Sequence, residues 1–207
     1  MLNRFNTVSI LDTIEMIEKY RLDIRTVTMG MSLLGCTRPT MEATAEAVYD
    51  RVTTRASQLV EVCEGIEAEL GIPIVNKRIS ITPVSLIVAG VDGNPVDVAR
   101  ALDRAATETG VDFVGGYSAL VEKGATTAEK ALIRSIPEAL AETNLVCSSV
   151  NIASSRAGIN MDAAAQMGRI IKEAAELTKD RSAIGCAKLV IFANSVGDNP
   201  FLSLIHI

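Results

Sequence analysis

The sequence predicts an α/β protein built on a parallel sheet. Helix and strand signals alternate along the chain, five segments of strand character are apolar on both faces, and four of the helices open on a recognisable cap. Right-handed crossovers are expected between such strands. Strands of this kind suit a sheet covered on both sides or a barrel.

Ser9, with Asp12 three residues on, reads as the cap of a first helix reaching about Tyr20. Leu22 to Met29 then alternates with period two, as a strand should. Pro39 and Thr40 open a long helix. Val48, Val52, Leu59, Cys63, Ile66 and Leu70 share its apolar face, and Gly71 with Pro73 ends it. Ile74 to about Ile81 is the second strand, followed by the apolar run Ser85 to Ala89. Asn94-Pro95 places a cap before a proline at the first helical position, and that helix runs to Gly110.

The third strand spans Val111 to about Val121 and is interrupted by Gly115 and Gly116. Thr126 and Glu129 form a capping box for a helix that Pro137 is expected to kink or restart. Leu145 to Ile152 is the fourth strand. Asn160 caps the next helix, whose inward stripe is Ala164, Met167, Ile171 and Ala174; Cys186 to Ala193 is the fifth strand. No linker divides the chain, so residues 1–201 are read as one α/β domain. Five parallel strands leave two open edges, a liability unless something covers them.

Composition narrows the function classes. The 207 residues are 48% hydrophobic and 22% charged, which excludes disordered and low-complexity classes. Twenty Lys and Arg against 25 Asp and Glu give a net charge of -5, the wrong balance for neutralising nucleic-acid phosphates. Aromatics are 3% with no Trp, so base- or sugar-stacking platforms are not expected. The longest apolar runs are about six residues, far short of the roughly 20 that span a bilayer. No signal-peptide pattern opens the chain, and a cytoplasmic location is expected. The four cysteines (Cys36, Cys63, Cys147, Cys186) and the lone His206 show no metal-ligand spacing. Phosphate-loop, dinucleotide, serine-hydrolase and zinc-protease motifs are all missing, and no cofactor is indicated.

In parallel α/β folds, ligands lie beyond the carboxyl ends of the strands. Those loops supply the candidates. The first carries Ser32, Cys36 and Arg38. The third strand and its loop carry Gly115, Gly116, Tyr117 and Ser118; the fourth carries Asn151, Ser155 and Arg156; the fifth carries Asn194 and Asp198. The Ser-Ser-Arg-Ala-Gly segment at 154–158 combines small residues, hydroxyls and a guanidinium, the chemistry that holds a carboxylate or phosphate. It also fits an ordinary loop rich in capping residues. Arg38 is an anion clamp or an exposed helix-start residue. Gly115 and Gly116 mark a bulge or a close ligand approach. Tyr117 is a proton donor or a core residue with a satisfied hydroxyl. Asp198 is a base, a metal ligand or an Asx-turn.

Four stretches carry a resemblance: Ile24 to Leu34 (IRTVTMGMSLL), Gly115 to Val121 (GGYSALV), Ser154 to Ala163 (SSRAGINMDA), and Cys186 to Asn194 (CAKLVIFAN) with Asp198 to Phe201 (DNPF). Together they resemble the uncharacterised protein family 0210, also called domain of unknown function 711, from about Asn6 to Phe201. The resemblance implies half of a ten-stranded α/β barrel, kin in fold to pyruvate formate-lyase. It also implies a homodimer, and for some members an ACT-domain partner protein. It brings no reaction: the glycine loop of radical enzymes is not the Gly115-Gly-Tyr motif. Family members continue well beyond the Asn-Pro-Phe motif, whereas Leu202 to Ile207 resembles translated adapter sequence and is expected to be non-native.

Two readings of the intact protein follow. One is an enzyme acting on a small anionic metabolite: Arg38 and Arg156 hold the anion, Ser155, Tyr117 and Asn194 orient it, and Cys36 or Asp198 supplies reactivity. The other is a metabolite sensor working with an ACT-domain partner. The 207-residue chain itself is expected to be an inactive fragment.

Overall fold

A computed structural model describes residues 11–194, except 13, 17, 18, 21 and 22. Residues 11–12 and 14–16 are helical, inside the first predicted helix, whose cap at Ser9 lies outside the described residues.

The sheet begins with β1 (Ile24–Met31) and β2 (Ile74–Ile81). Between them lie a 3-10 turn (Leu34–Cys36) and two helices, α1 (Met41–Ala56) and α2 (Leu59–Leu70). The long helix expected from Pro39 to Leu70 is therefore broken. Thr53 and Ser57 hydroxyls donate to the carbonyls of Tyr49, Asp50 and Thr54, competing with the helical ladder near the break. The two pieces do not share one apolar face: Val48, Val52 and Cys63 are buried, whereas Ile66 and Leu70 are exposed. Gly71 closes α2 in the left-handed region, φ 67°, as its C-terminal position predicts.

After β2, the run Ser85 to Ala89 holds a single helical turn, α3 (Val84–Ile87). Then come α4 (Val96–Thr109), β3 (Phe113–Leu120) and α5 (Thr127–Glu142). Asn94 Oδ1 accepts from Val96 N at 3.1 Å to start α4, and the Thr126–Glu129 capping box starts α5. Pro137 lies inside α5, which continues to Glu142 instead of restarting.

The remaining elements are β4 (Val146–Ser154), β5 (Gly158–Ile159), α6 (Met161–Leu177), α7 (Ile184–Ala187) and β6 (Leu189–Ala193). The segment 154–158 is not a strand-to-helix loop but the tip of a hairpin, since β5 pairs antiparallel with β4. Asn160 caps α6 as expected, but the buried stripe is Ala163, Met167, Ile170 and Ala174, one position off the predicted register at two places. The fifth parallel strand starts at Leu189, not Cys186. Ser182 and Ala183 are both left-handed, and Gly185 N donates to Thr178 Oγ1, holding the chain in a turn before it can extend.

The five parallel strands lie in chain order, β1-β2-β3-β4-β6. With crossovers of one hand, that order puts every long helix on the same face of the sheet. Ion pairs join neighbouring helices there: Arg104 of α4 reaches Glu46 of α1, and Arg100 reaches Glu138 and Glu142 of α5. The core fills the space between. Ile79, Ile81, Val114, Tyr117, Val146 and Val150 from the strands meet Val48, Val52, Leu102, Ile133, Ile136 and Leu140 from the helices. The result is an open, singly wound sheet, consistent with half of a barrel. Among the described residues, no helix is long and apolar enough to cross a membrane.

Candidate functional site

The carboxyl end of β1 leads into a recess rich in charged side chains. Leu33, fully buried, anchors the loop, and its amide donates to Thr82 Oγ1 at 3.1 Å. The chain then closes the 3-10 turn, Cys36 N donating to Leu33 O at 2.9 Å. Thr37 Oγ1 donates to Ile87 O, and Arg38 N donates to Thr44 Oγ1, both at 3.0 Å. Thr40 caps α1 through Ala43 N. The loop is thereby tied to α1 and α3.

The recess encloses about 390 Å³ between this loop and α1. Cys36 and Arg38 line it with Arg51 and Arg55, which stand one helical turn apart on α1. Among the described residues, Asp50 is the sole carboxylate in the lining, against three guanidiniums. Gly35 leaves room for Arg51, whose Nη2 lies 3.6 Å from where a Cβ would stand. Arg38 Nη1 donates to the carbonyls of Gly35 and Thr37, both at 2.9 Å. Burial pushes the Cys36 thiol up from its ordinary value; Arg51 and Arg38 pull against that without reversing it. The group is thus a thiol near neutral pH, whereas a nucleophile must be a thiolate. Fixed positive charge at a strand's carboxyl end equips this recess to hold a carboxylate or phosphate.

The other predicted residues fall into separate places. Tyr117 faces the helices: it is fully buried, its hydroxyl is 2.6 Å from Ser135 Oγ, and burial pushes its pKa up. It is the core residue with a satisfied hydroxyl, one of the two readings above. Gly116 is held at φ 126°, where a Cβ would overlap Ile81 Cγ1 and lie 2.9 Å from Ile81 O. It forms a β-bulge, seen as a register shift between Gly115 and Tyr117 against β4. Ser118 is buried, its hydroxyl donating to Gly116 O at 3.2 Å.

Asn151 is buried in β4. With its amide oriented to satisfy both ends, Nδ2 donates to Phe192 O and Ala153 O at 3.1 and 3.0 Å. It staples a second register shift, between Asn151 and Ala153. Asn194 is left-handed, and its Oδ1 accepts from Ser155 N at 2.6 Å. Those two predicted residues do meet, at the tip of the β4–β5 hairpin. Arg156 is exposed at the hairpin tip, and Ser32 is half-buried beside Leu33. None of Ser32, Ser155, Arg156 and Asn194 lines the recess around Cys36. Asp198 lies outside the described residues.

Sequence reasoning singled out Cys36 and Arg38 and missed Arg51 and Arg55. Their spacing of four on a helix beginning at the Arg38 loop was an available signal. What the sequence did not show is which face of α1 the loop would meet. Among the described residues, no group of three or more His, Cys, Asp or Glu is placed to hold a metal ion.

A family model described as "Uncharacterised ACR (DUF711)" matches residues 15–204. A UPF0210 protein of Corynebacterium glutamicum is 75% identical over 194 residues, covering 94% of this chain and 42% of that protein. UPF0210 proteins of Listeria monocytogenes and Ruminiclostridium cellulolyticum are each 57% identical, over 95% and 94% of this chain and 44% and 43% of theirs. The chain thus spans less than half the length of these relatives. It belongs to the uncharacterised DUF711 family, whose curated members carry the name UPF0210.

Proposed function

We propose that the intact protein binds a small anionic metabolite, a carboxylate or phosphate, at the carboxyl end of β1. The observation that carries this reading is the set of three arginines, Arg38, Arg51 and Arg55, around one recess with a single carboxylate among the described residues. Arg51 and Arg55 project from one helix a turn apart, so their backbone positions are set before an anion arrives. Arg38 is already folded onto its own loop carbonyls, so it contributes charge and shape at the rim. Cys36 forms an apolar, protonated floor.

Amide NMR of the 207-residue chain tests this with inorganic phosphate and with malonate. The Gly35 and Cys36 amides should shift and saturate. Arg51→Ala should weaken the response at least about tenfold, the loss expected of one charge-assisted hydrogen bond. Shifts confined to other regions, or undiminished in Arg51→Ala, would sink the assignment.

A further inference from the structure

The face of the sheet turned away from the long helices holds, together with Ile184 and Ala187 of α7, a second recess separate from the first. Strand register builds it. Ile79 and Val114 point into the helix-side core and stand opposite each other, so Arg78 and its partner Phe113 turn the other way. By the same alternation Gly115 and Cys147, paired across β3 and β4, share that face with Val190 of β6. These residues line a cavity of about 330 Å³, within the size range of small-molecule sites.

Among the described residues its lining holds two cationic side chains, Arg78 and Lys188, and no Asp or Glu. Arg78 is braced by Thr28, its Nε donating to Thr28 Oγ1 at 2.7 Å, and burial weakens its hold on the proton. Lys188 is 5% exposed, and its ammonium donates to the carbonyls of Leu140 and Thr143 at 3.0 and 2.5 Å. It therefore serves the end of α5 and lends the cavity positive potential. Phe113 and Val190 stand 40% and 46% exposed, an aromatic ring and a branched chain presented to the opening. Gly115 adds no side chain, leaving space between them.

We propose that this face binds a small carboxylate with an apolar body. Arg78 receives the carboxylate, and Phe113 and Val190 pack against the hydrocarbon part. A partly desolvated guanidinium beside apolar walls favours such a ligand over inorganic anions, because the body buries apolar area that phosphate does not have.

Phenylacetate and phenylacetamide separate charge from bulk in one titration of the 207-residue chain, read by amide NMR. The Gly115 and Val190 amides should shift with phenylacetate and saturate in the range of about 10 mM or below. Phenylacetamide should shift them at least about tenfold more weakly, and Arg78→Gln should abolish the difference between the two. Equal responses to acid and amide, or none to either, would overturn the proposal whether or not the Arg78 variant folds. Responses at Gly35 and Cys36 report the first recess, so failure of one assignment is distinguishable from failure of the other.

Discussion

Along β2, Ile79 and Ile81 are fully buried beneath the helices, while Arg78 turns to the opposite face. The same contrast repeats on β3 and β4, where Val114, Tyr117 and Val146 face the helices and Gly115 and Cys147 do not. One face is a jigsaw of branched apolar side chains, each worth about 1.5–3 kcal/mol when buried. The other carries a guanidinium, glycine, a thiol and half-exposed hydrophobes. On these strands the close apolar packing thus lies on one side and the recess around Arg78 on the other.

The sharpest way to break this comparison is at the bulge, where the two sides meet. Gly116→Val places a branched side chain against Ile81 at φ 126° and should cost about 4 kcal/mol, read as a lower urea midpoint. A loss under about 1 kcal/mol would show that β3 shifts freely and that the helix-side packing is not a jigsaw.

Tyr117→Phe probes the helix side more gently. Removing the hydroxyl paired with Ser135 should cost about 1 kcal/mol near neutral pH. Its pH dependence is also fixed in sign. Burial raises the folded phenol above its ordinary 10.0, so above that pH the unfolded chain loses its proton first and stability falls. The phenylalanine variant should lack this part of the alkaline decline; an unchanged decline would place the titrating group elsewhere.

On the far face, Val190→Thr should move stability by no more than about 0.5 kcal/mol in the same urea experiment. A larger loss would mean that this face too is packed core.

Much of the fold was legible because its signals are local. The Thr126–Glu129 box, the Asn160 cap and the glycines after α2 and α4 act within a few residues, and each sits where the sequence implied. What escaped depends on partners far along the chain. The start of β6 moved because Gly185 is held by Thr178, and 154–158 became a hairpin because Ala153 and Ser154 found Ile159 and Gly158 beyond the end of β3. Of the candidate residues, Cys36 and Arg38 could be paired by their closeness in sequence. Arg51 joins them only through the packing of α1. Arg78 and Cys147 lie 69 positions apart and share a cavity only through the register of three strands.

The chain-order sheet has a consequence for how the protein is made. After β1, each parallel strand finds the preceding parallel strand already synthesised and pairs with it. Assembly can advance unit by unit as residues emerge, with growth confined to one of the two edges and every new helix docking beside the last. The nascent chain builds in the manner of a spiral staircase, its advancing edge always the newest strand while the outer edge of β1 stays where it began.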